Sequence, residues 1–425
     1  LEAAAVYFMA IFFRCGNFAG HTMDLRIKQG LHMTLRILKA GLLLALLFPG
    51  LQAARAVTFQ IADPVEFNKI IDTNSAVLST NATINSWLEG PVWIPSGGGY
   101  LIFCDQGNNR LKKLVPPATV SDFLIPAAST LYNGTMLDAQ ERLLAVQAGT
   151  AGLRVVMVTN GVVTVLASTC NGLKFYSPND LVVKSDGTVW FTDPGYNGNT
   201  SPPPQPGFQP GYYVYQFNPT NGNATCTPVI TNGIARPNGL CFSPDETKLY
   251  VADSDTPAHH ILVYSVTASN TLTGGSVFAN IANGIPDGIR CDVDGRIWSS
   301  SGEGVYIFAP DGHLIGKILF GRIANLCFGG PQYKTVYMTG QPTVTSIPVL
   351  VAGMPSLKKL QAGFNGSQVN LSWPAPSTGF ALQQASQLTP DSWTNSPATP
   401  DVSNGLNQVS VDATNDVMFF RLRLN

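Results

Sequence analysis

The stretch from Ser177 to Asp193, Ser-Pro-Asn-Asp-Leu-Val-Val-Lys-Ser-Asp-Gly-Thr-Val-Trp-Phe-Thr-Asp, is the unit from which most of this chain is built. Asn179 opens a short apolar strand, Leu181 to Val183. Gly187 stands where a Ser-Asp-Gly turn needs positive φ, and a second strand, Val189 to Thr192, ends at Asp193. The same grammar recurs five more times. The other second strands are Leu101 to Cys104, Leu143 to Val146, Leu249 to Ala252, Ile297 to Ser300 and Val336 to Thr339.

These strands start roughly 40 to 60 residues apart, a spacing that marks stacked or radial repeats and leaves room for about four short strands each. The spacing therefore predicts an all-β six-bladed propeller. About 10 to 12 residues before each second strand stand Glu89, Asn133, Asn179, Asn238, Asp287 and Asn325, each opening an apolar strand. The first strand of every blade lines the central channel, so six side-chain oxygens distant in sequence are expected to meet on one axis. Asn and Asp also favour strand-opening turns for backbone reasons. Glu is a poor turn residue, so Glu89 in the same register argues for ligands rather than turns; for Asn133 and Asn325 the turn reading stands equally.

Five ordered motifs carry a family resemblance. They are Glu89-Gly-Pro-Val-Trp, Ser177-Pro178-Asn179-Asp180, Phe191-Thr192-Asp193-Pro194, Arg236-Pro237-Asn238-Gly239-Leu240 and Pro286-Asp287-Gly288. From about Leu88 to about Gly340 the chain resembles the senescence-marker-protein/gluconolactonase (regucalcin-like) family, in its bacterial secreted form. The resemblance implies a six-bladed propeller with a divalent metal on its axis, usually calcium, and hydrolysis of sugar lactones. It implies Glu89, Asn179, Asn238 and Asp287 as metal ligands, with Asp287 also taking a proton from the attacking water. Asn133 and Asn325 are candidates for positioning water or substrate hydroxyls. Two places depart from the family pattern. Ser177 stands where animal members carry a substrate-touching arginine, and Gln147-Ala148-Gly149 replaces the Glu-His-Gly of many bacterial members. Both leave the metal set whole and open the question of the substrate, for which Ser177 is a further contact candidate.

The chemistry of that set is hard. Two carboxylates and two amide oxygens suit calcium, with Mg2+, Mn2+ and Zn2+ as alternatives, and do not suit thiophilic metals. Such an ion polarises a carbonyl and stabilises the oxyanion formed on it. The chain holds no Gly-x-Ser-x-Gly elbow and no His-Glu-x-x-His, which argues against serine hydrolase and zincin chemistry. His259 and His260 read as surface residues. Two other functions compete: a metal-dependent phosphotriesterase or aryl esterase on the same site, and a noncatalytic propeller that binds calcium or a partner.

The remaining stretches set the context. Net charge is −1 and 12% of residues are charged, which gives no footprint for nucleic acid or an anionic membrane surface. Residues 1–32 carry no coherent pattern and read as an extension ahead of a start at Met33. Arg36 and Lys39 precede the apolar run Ala40 to Phe48, and Ala54-Arg55-Ala56 follows, so residues 33–56 read as a signal peptide cleaved after Ala56. The expectation is export to the periplasm or the exterior, with no membrane span left after cleavage.

In such a compartment Cys170 and Cys226, both in loops, could pair, whereas Cys104, Cys241, Cys291 and Cys327 fall in inner strands as buried thiols. The propeller is expected over 57–352, with Ala76 to Ser79 supplying the outer strand of the last blade. The proline-rich loop Tyr196 to Gly211 reads either as one wall of the pocket, with Tyr196 and Phe208 on substrate, or as a solvated excursion. Residues 353–425 read as a linker and a small fibronectin-like β-sandwich, from the alternating runs Val369 to Trp373 and Phe380 to Gln384. Its role is either glycan or cell-surface attachment or that of a spacer.

Overall fold

The computed structural model describes residues 57–425 apart from 127, 198–200, 256, 355–359, 366–367, 376–379, 388–391, 404–405, 413–417 and 425. The expected signal peptide and the stretch before it lie outside the described residues, as do 198–200 of the proline-rich loop.

Six antiparallel sheets follow one another along the chain, each with the expected second strand as its second member. Blade one comprises Leu88–Ile94, Tyr100–Asp105, Arg110–Val115 and Thr119–Leu124; blade two Tyr132–Leu137, Leu143–Gln147, Arg154–Thr159 and Val162–Ala167. Blade three is Leu181–Val183, Val189–Asp193, Tyr213–Phe217 and Thr227–Ile230; blade four Pro237–Phe242, Lys248–Asp253, His260–Val266 and Leu272–Asn280. Blade five contains Ile289–Cys291, Ile297–Ser300, Gly304–Phe308 and Leu314–Leu319, and blade six Asn325–Gly329, Thr335–Thr339 and Thr343–Pro348.

Two N-terminal strands complete the ring. Ser79–Thr83 forms the outer edge of blade six, with Ser79 opposite Ser346. This is three residues beyond the expected start; the Asp72 carboxylate accepts from Asn74 N at 3.0 Å in the turn that precedes it. Thr58–Ile61 adds a fifth strand to blade five, and the helix Pro64–Ile70, capped by Asp63, buries Phe67 and Ile70. An N-terminal strand in the C-terminal blade ties the two ends of the ring together.

Adjacent blades are joined by aromatic side chains. Trp190 of blade three meets Phe242 of blade four edge to face at 5.5 Å, and Trp298 of blade five meets Phe328 of blade six at 5.2 Å. Trp93 of blade one stacks on Tyr337 of blade six at 5.5 Å, across the ring closure. Each such pair adds about 0.5–1.5 kcal/mol beyond the area it buries.

Nearer the axis the blades are too close for side chains. Glycine follows four of the six strand-opening residues, and in each case the next blade occupies the space of a Cβ. A Cβ on Gly90 would fall 1.9 Å from Asn133 O, on Gly134 2.4 Å from Asp180 Oδ1, on Gly239 2.3 Å from Asp287 O and on Gly288 2.1 Å from Asn325 Oδ1. Backbone bonds run through the same contacts, Gly134 N to Asn179 O at 2.7 Å and Gly239 N to Asp287 O at 3.1 Å. The residues that open the strands are thus pressed into one ring.

The C-terminal residues form two further sheets. One is Gln361–Asn365, Gln368–Pro374, Leu406–Asp412 and Asp401–Ser403; the other is Thr394–Asn395, Phe380–Ala385 and Phe419–Leu424. Leu371, Trp373, Leu382 and Val409 pack between them as the core of a small β-sandwich. Among the described residues no helix is long and apolar enough to cross a membrane.

The ring contacts give a test. Gly288→Ala should lower unfolding free energy by about 1–3 kcal/mol. Gly363→Ala, with nothing within 4 Å of the added carbon, should change it little. Denaturant titrations of both variants check this, and equal midpoints would mean the blades can part at no cost.

Candidate metal centre and active site

Each strand-opening residue is held by its own blade. Glu89, Asn133 and Asn238 are the second residues of their first strands, Asn325 is the first, and Asn179 and Asp287 stand two residues ahead of theirs. All six are buried. The aspartates that end the second strands fix the approach to them. Asp193 accepts from the backbone N–H groups of Tyr176 and Ser177, at 2.8 and 2.5 Å, and Asp253 from those of Ala235 and Arg236, both at 2.9 Å. Counted back from Asn179 and Asn238, these donors are the same two positions. The Phe-Thr-Asp end of the repeat is therefore a clamp that aims the Asn of its own blade.

Further bonds orient the side chains. The Trp87 indole donates to Glu89 Oε1 at 3.2 Å and Gly90 N to Glu89 Oε2 at 3.1 Å. Asn238 Nδ2 donates to Ser254 Oγ at 3.0 Å, and the Ser254 hydroxyl donates in turn to Pro286 O, beside Asp287. The Asn238 amide also contacts the Asp287 carboxylate, and Asn325 contacts Glu89, so blades four and five, and blades six and one, meet through these side chains.

The electrostatics of the ring are unbalanced. Burial pushes the Glu89 carboxyl up to about 7, with the Asp180 charge adding to the rise and the bonds from Trp87, Gly90 and Asn325 opposing it. Burial also holds the Asp287 carboxyl well above its ordinary range, reinforced by Glu89 and opposed by the Arg322 guanidinium. Two like charges are thus enclosed within electrostatic reach of each other. Asn133 Oδ1 and Asn238 Oδ1 are buried without a hydrogen-bond partner, each a cost of about 1–3 kcal/mol. Asn179 lends its backbone to the ring, and its side-chain amide has no partner among the described residues.

Enclosed carboxylates and orphaned amide oxygens around one axis fit a hard cation, which would neutralise the first and satisfy the second. The donors are amides as much as carboxylates; among the described residues no three His, Cys, Asp or Glu gather into a metal-holding group.

The other expected contacts divide. The Tyr196 hydroxyl is buried against Asp287 and Ser254 without a well-formed hydrogen bond, and burial raises its pKa. The Ser177 hydroxyl donates to Ala148 O at 2.9 Å and accepts from Asn197 N at 3.1 Å, so its one proton is committed to joining blade two to the Tyr196 loop. Phe208 packs on Tyr176, ring centres 5.3 Å apart, rather than standing free in the pocket. His259 and His260 are half-buried, not superficial, because the loop before His260–Val266 folds back toward Asp253, 3.8 Å from His260 Nε2.

Three features escaped the repeat pattern. Arg322 lies over the Trp87 ring at 4.5 Å, and with Asp287, Ile285, Ser301 and Gly302 it lines a hollow open to solvent. Arg236 lies over Tyr212 at 4.3 Å and Tyr196 at 5.4 Å while its Nη1 donates to Pro194 O. Across the channel, Arg290 Nη1 donates to the fully buried Asp180 Oδ2 at 3.0 Å. An arginine within the apolar strand Ile289–Cys291 was the available signal for this last pair; Arg322 carried none.

Comparison with known proteins agrees with this geometry. Residues 87–341 match the family described as SMP-30/Gluconolactonase/LRE-like region. A gluconolactonase of Zymomonas mobilis is 32% identical over 284 residues, which span 61% of this chain and 78% of that protein. The structure of a gluconolactonase of Xanthomonas campestris superposes with a TM-score of 0.60 at 29% identity, covering 70% of this chain and 99% of that one. A calcium-binding regucalcin of Agrobacterium tumefaciens shares the fold, with a TM-score of 0.52 at 19% identity over 65% of this chain and 94% of that one.

Stability should report the buried charge. Well below pH 4.5 Glu89 is protonated folded or unfolded; between about 4.5 and about 7 the unfolded chain loses the proton and the folded chain keeps it. In chelator-treated protein stability should therefore fall as pH rises through that window, by roughly 3 kcal/mol from this group. Saturating calcium should remove the fall. Thermal unfolding across pH, with and without the ion, measures both; a flat chelated profile would mean that Glu89 is not enclosed as a charge.

Proposed function

Since the chain belongs to the SMP-30/gluconolactonase/LRE-like family and is a lactonase of the carboxylic-ester hydrolase type, we propose that it opens sugar lactones at the axial ring with the help of one divalent cation. Glu89, Asn179, Asn238 and Asp287 would hold the ion, calcium foremost, with Asn133 and Asn325 beside them. When bound, the ion supplies Lewis-acid polarisation of the lactone carbonyl. The observation that carries the proposal is the pair of enclosed carboxylates, Glu89 and Asp287, ringed by amide oxygens that lack partners.

The chain's own residues account for the remainder. Asp287, whose proton affinity is raised, takes a proton from the water that attacks the acyl carbon. The ring C–O bond breaks, and the departing oxygen recovers that proton as the hydroxyl of the open acid. Trp87 and Gly90 keep Glu89 in place, and the Ser254 bridge keeps Asn238 beside Asp287. Tyr196 and Arg322 flank the entrance and are suited to ring hydroxyls. The positively charged segment and apolar run of residues 33–56 support export of the enzyme.

Asp287→Asn should lower kcat about 10^2- to 10^4-fold on aldonolactones while leaving the unfolding midpoint near that of the wild type. Chelation should abolish turnover and calcium restore it. A panel of aldonolactones, aryl esters and phosphotriesters assayed with and without chelator provides the check; full activity under chelation would discard the proposal, and turnover of phosphotriesters alone would replace the substrate class. Trp87→Phe, which removes one bond to Glu89, should weaken calcium affinity about tenfold; unchanged affinity by calorimetry would show the indole bond to be idle.

A further inference from the structure

Between blades two and three the chain makes a small hairpin, Thr169–Cys170 against Leu173–Lys174, turned by Asn171 and Gly172 at positive φ. It leads directly into Tyr176 and Ser177, whose N–H groups Asp193 clamps, and so into Asn179. Cys170 is fully buried. So is Cys226, at 5% exposure, which follows the short helical turn Gly222–Thr225 and precedes the outer strand of blade three.

The two thiols belong to one core cluster and are near enough for each to alter the proton affinity of the other. Their backbones are brought together independently. Asn223 Oδ1 accepts from Ser168 N at 2.7 Å and from Thr169 N at 3.1 Å, pinning the helical turn to the hairpin. The other described thiols lie in the inner strands of blades one, four, five and six, where Cys241 and Cys291 share a core cluster but sit on separate strands. Cys104, for example, donates to Asn133 O at 2.8 Å and Cys291 to Asp292 O at 3.3 Å.

We propose that Cys170 and Cys226 form a disulfide that staples this hairpin to the outer edge of blade three. Formation removes one proton and one electron from each thiol and joins the sulfurs; the two electrons reduce a disulfide carrier of the glutathione class to two thiols, by exchange through a mixed disulfide. Because both sulfurs are enclosed in the finished fold, the exchange takes place before blade three closes over them. Gln209 Nε2 donates to Cys170 O at 2.7 Å and to Leu173 O at 2.9 Å, and Lys174 N donates to Gly207 O at 3.0 Å. The staple therefore also anchors the far end of the loop that begins at Tyr196, the side chain lying against Asp287.

The full chain, unfolded and reduced, is refolded in a glutathione and glutathione-disulfide buffer, then denatured and alkylated without reduction. The proposal requires two fewer alkylated cysteines than in the reduced control, and a non-reduced peptide map in which the Cys170 peptide is joined to the Cys226 peptide. Cys170→Ser and Cys226→Ser should each lower the melting temperature by about 5 °C. The double variant should fall no further, and reduction of the wild type during unfolding should reproduce the drop. Alkylation of all seven cysteines, a different linked pair, or additive losses with no effect of reductant would overturn it in favour of two packed thiols. The alkylation count uses the wild-type chain and so decides the matter even where a variant fails to fold.

Discussion

Two carboxylates buried on one axis, neither joined in an ion pair among the described residues and only Asp287 eased by the nearby Arg322 guanidinium, are the constraint around which this molecule is arranged. Burial alone disfavours their charge, and each makes the other's ionisation harder. The same channel contains a contrasting solution. Asp180, equally buried, has Arg290 across the axis as its partner. Where the chain meant a charge to be neutral within the protein it supplied an arginine; at Glu89 and Asp287 it supplied amide oxygens, two of them unsatisfied, which favour a cation that arrives from outside.

Holding that arrangement open requires rigidity, because side chains that repel or lack partners would otherwise relax apart. The ring provides it by contact. Glycines after four of the six openers let neighbouring blades touch through backbone atoms, and the second-strand aspartates Asp193 and Asp253 fix the segments that present Asn179 and Asn238. Farther out, the pairs formed by Trp93, Trp190 and Trp298 hold adjacent blades together, and Ser79–Thr83 closes the circle. The fold thus converts six weak, repeated positions into one preorganised site.

Much of this was legible in the sequence because both the fold and the ring repeat. A recurring Asn or acidic residue about ten residues before an apolar strand locates the openers without knowledge of any contact, and the turn glycine between the strands gives the blade its hairpin. What could not be read belongs to single positions. Arg322 reaches Trp87 and the neighbourhood of Asp287 only through the packing of blade six on blade one. The Ser177 hydroxyl bridges Ala148 and Asn197, which no spacing rule places beside it. The strand that closes the ring begins at Ser79 rather than ending there, since its register is set by pairing with Thr343–Pro348 and not by the local apolar pattern.

Calorimetric titration of calcium into chelated protein tests the central claim most directly. The account requires one saturable ion per chain, bound with release of protons near pH 6.5 from the raised carboxyls of Glu89 and Asp287, as shown by the dependence of the heat on buffer ionisation. Glu89→Gln should weaken the binding and reduce the proton release, leaving the share that Asp287 contributes. Absence of saturable binding, or binding that neither releases protons nor responds to that substitution, would contradict the account.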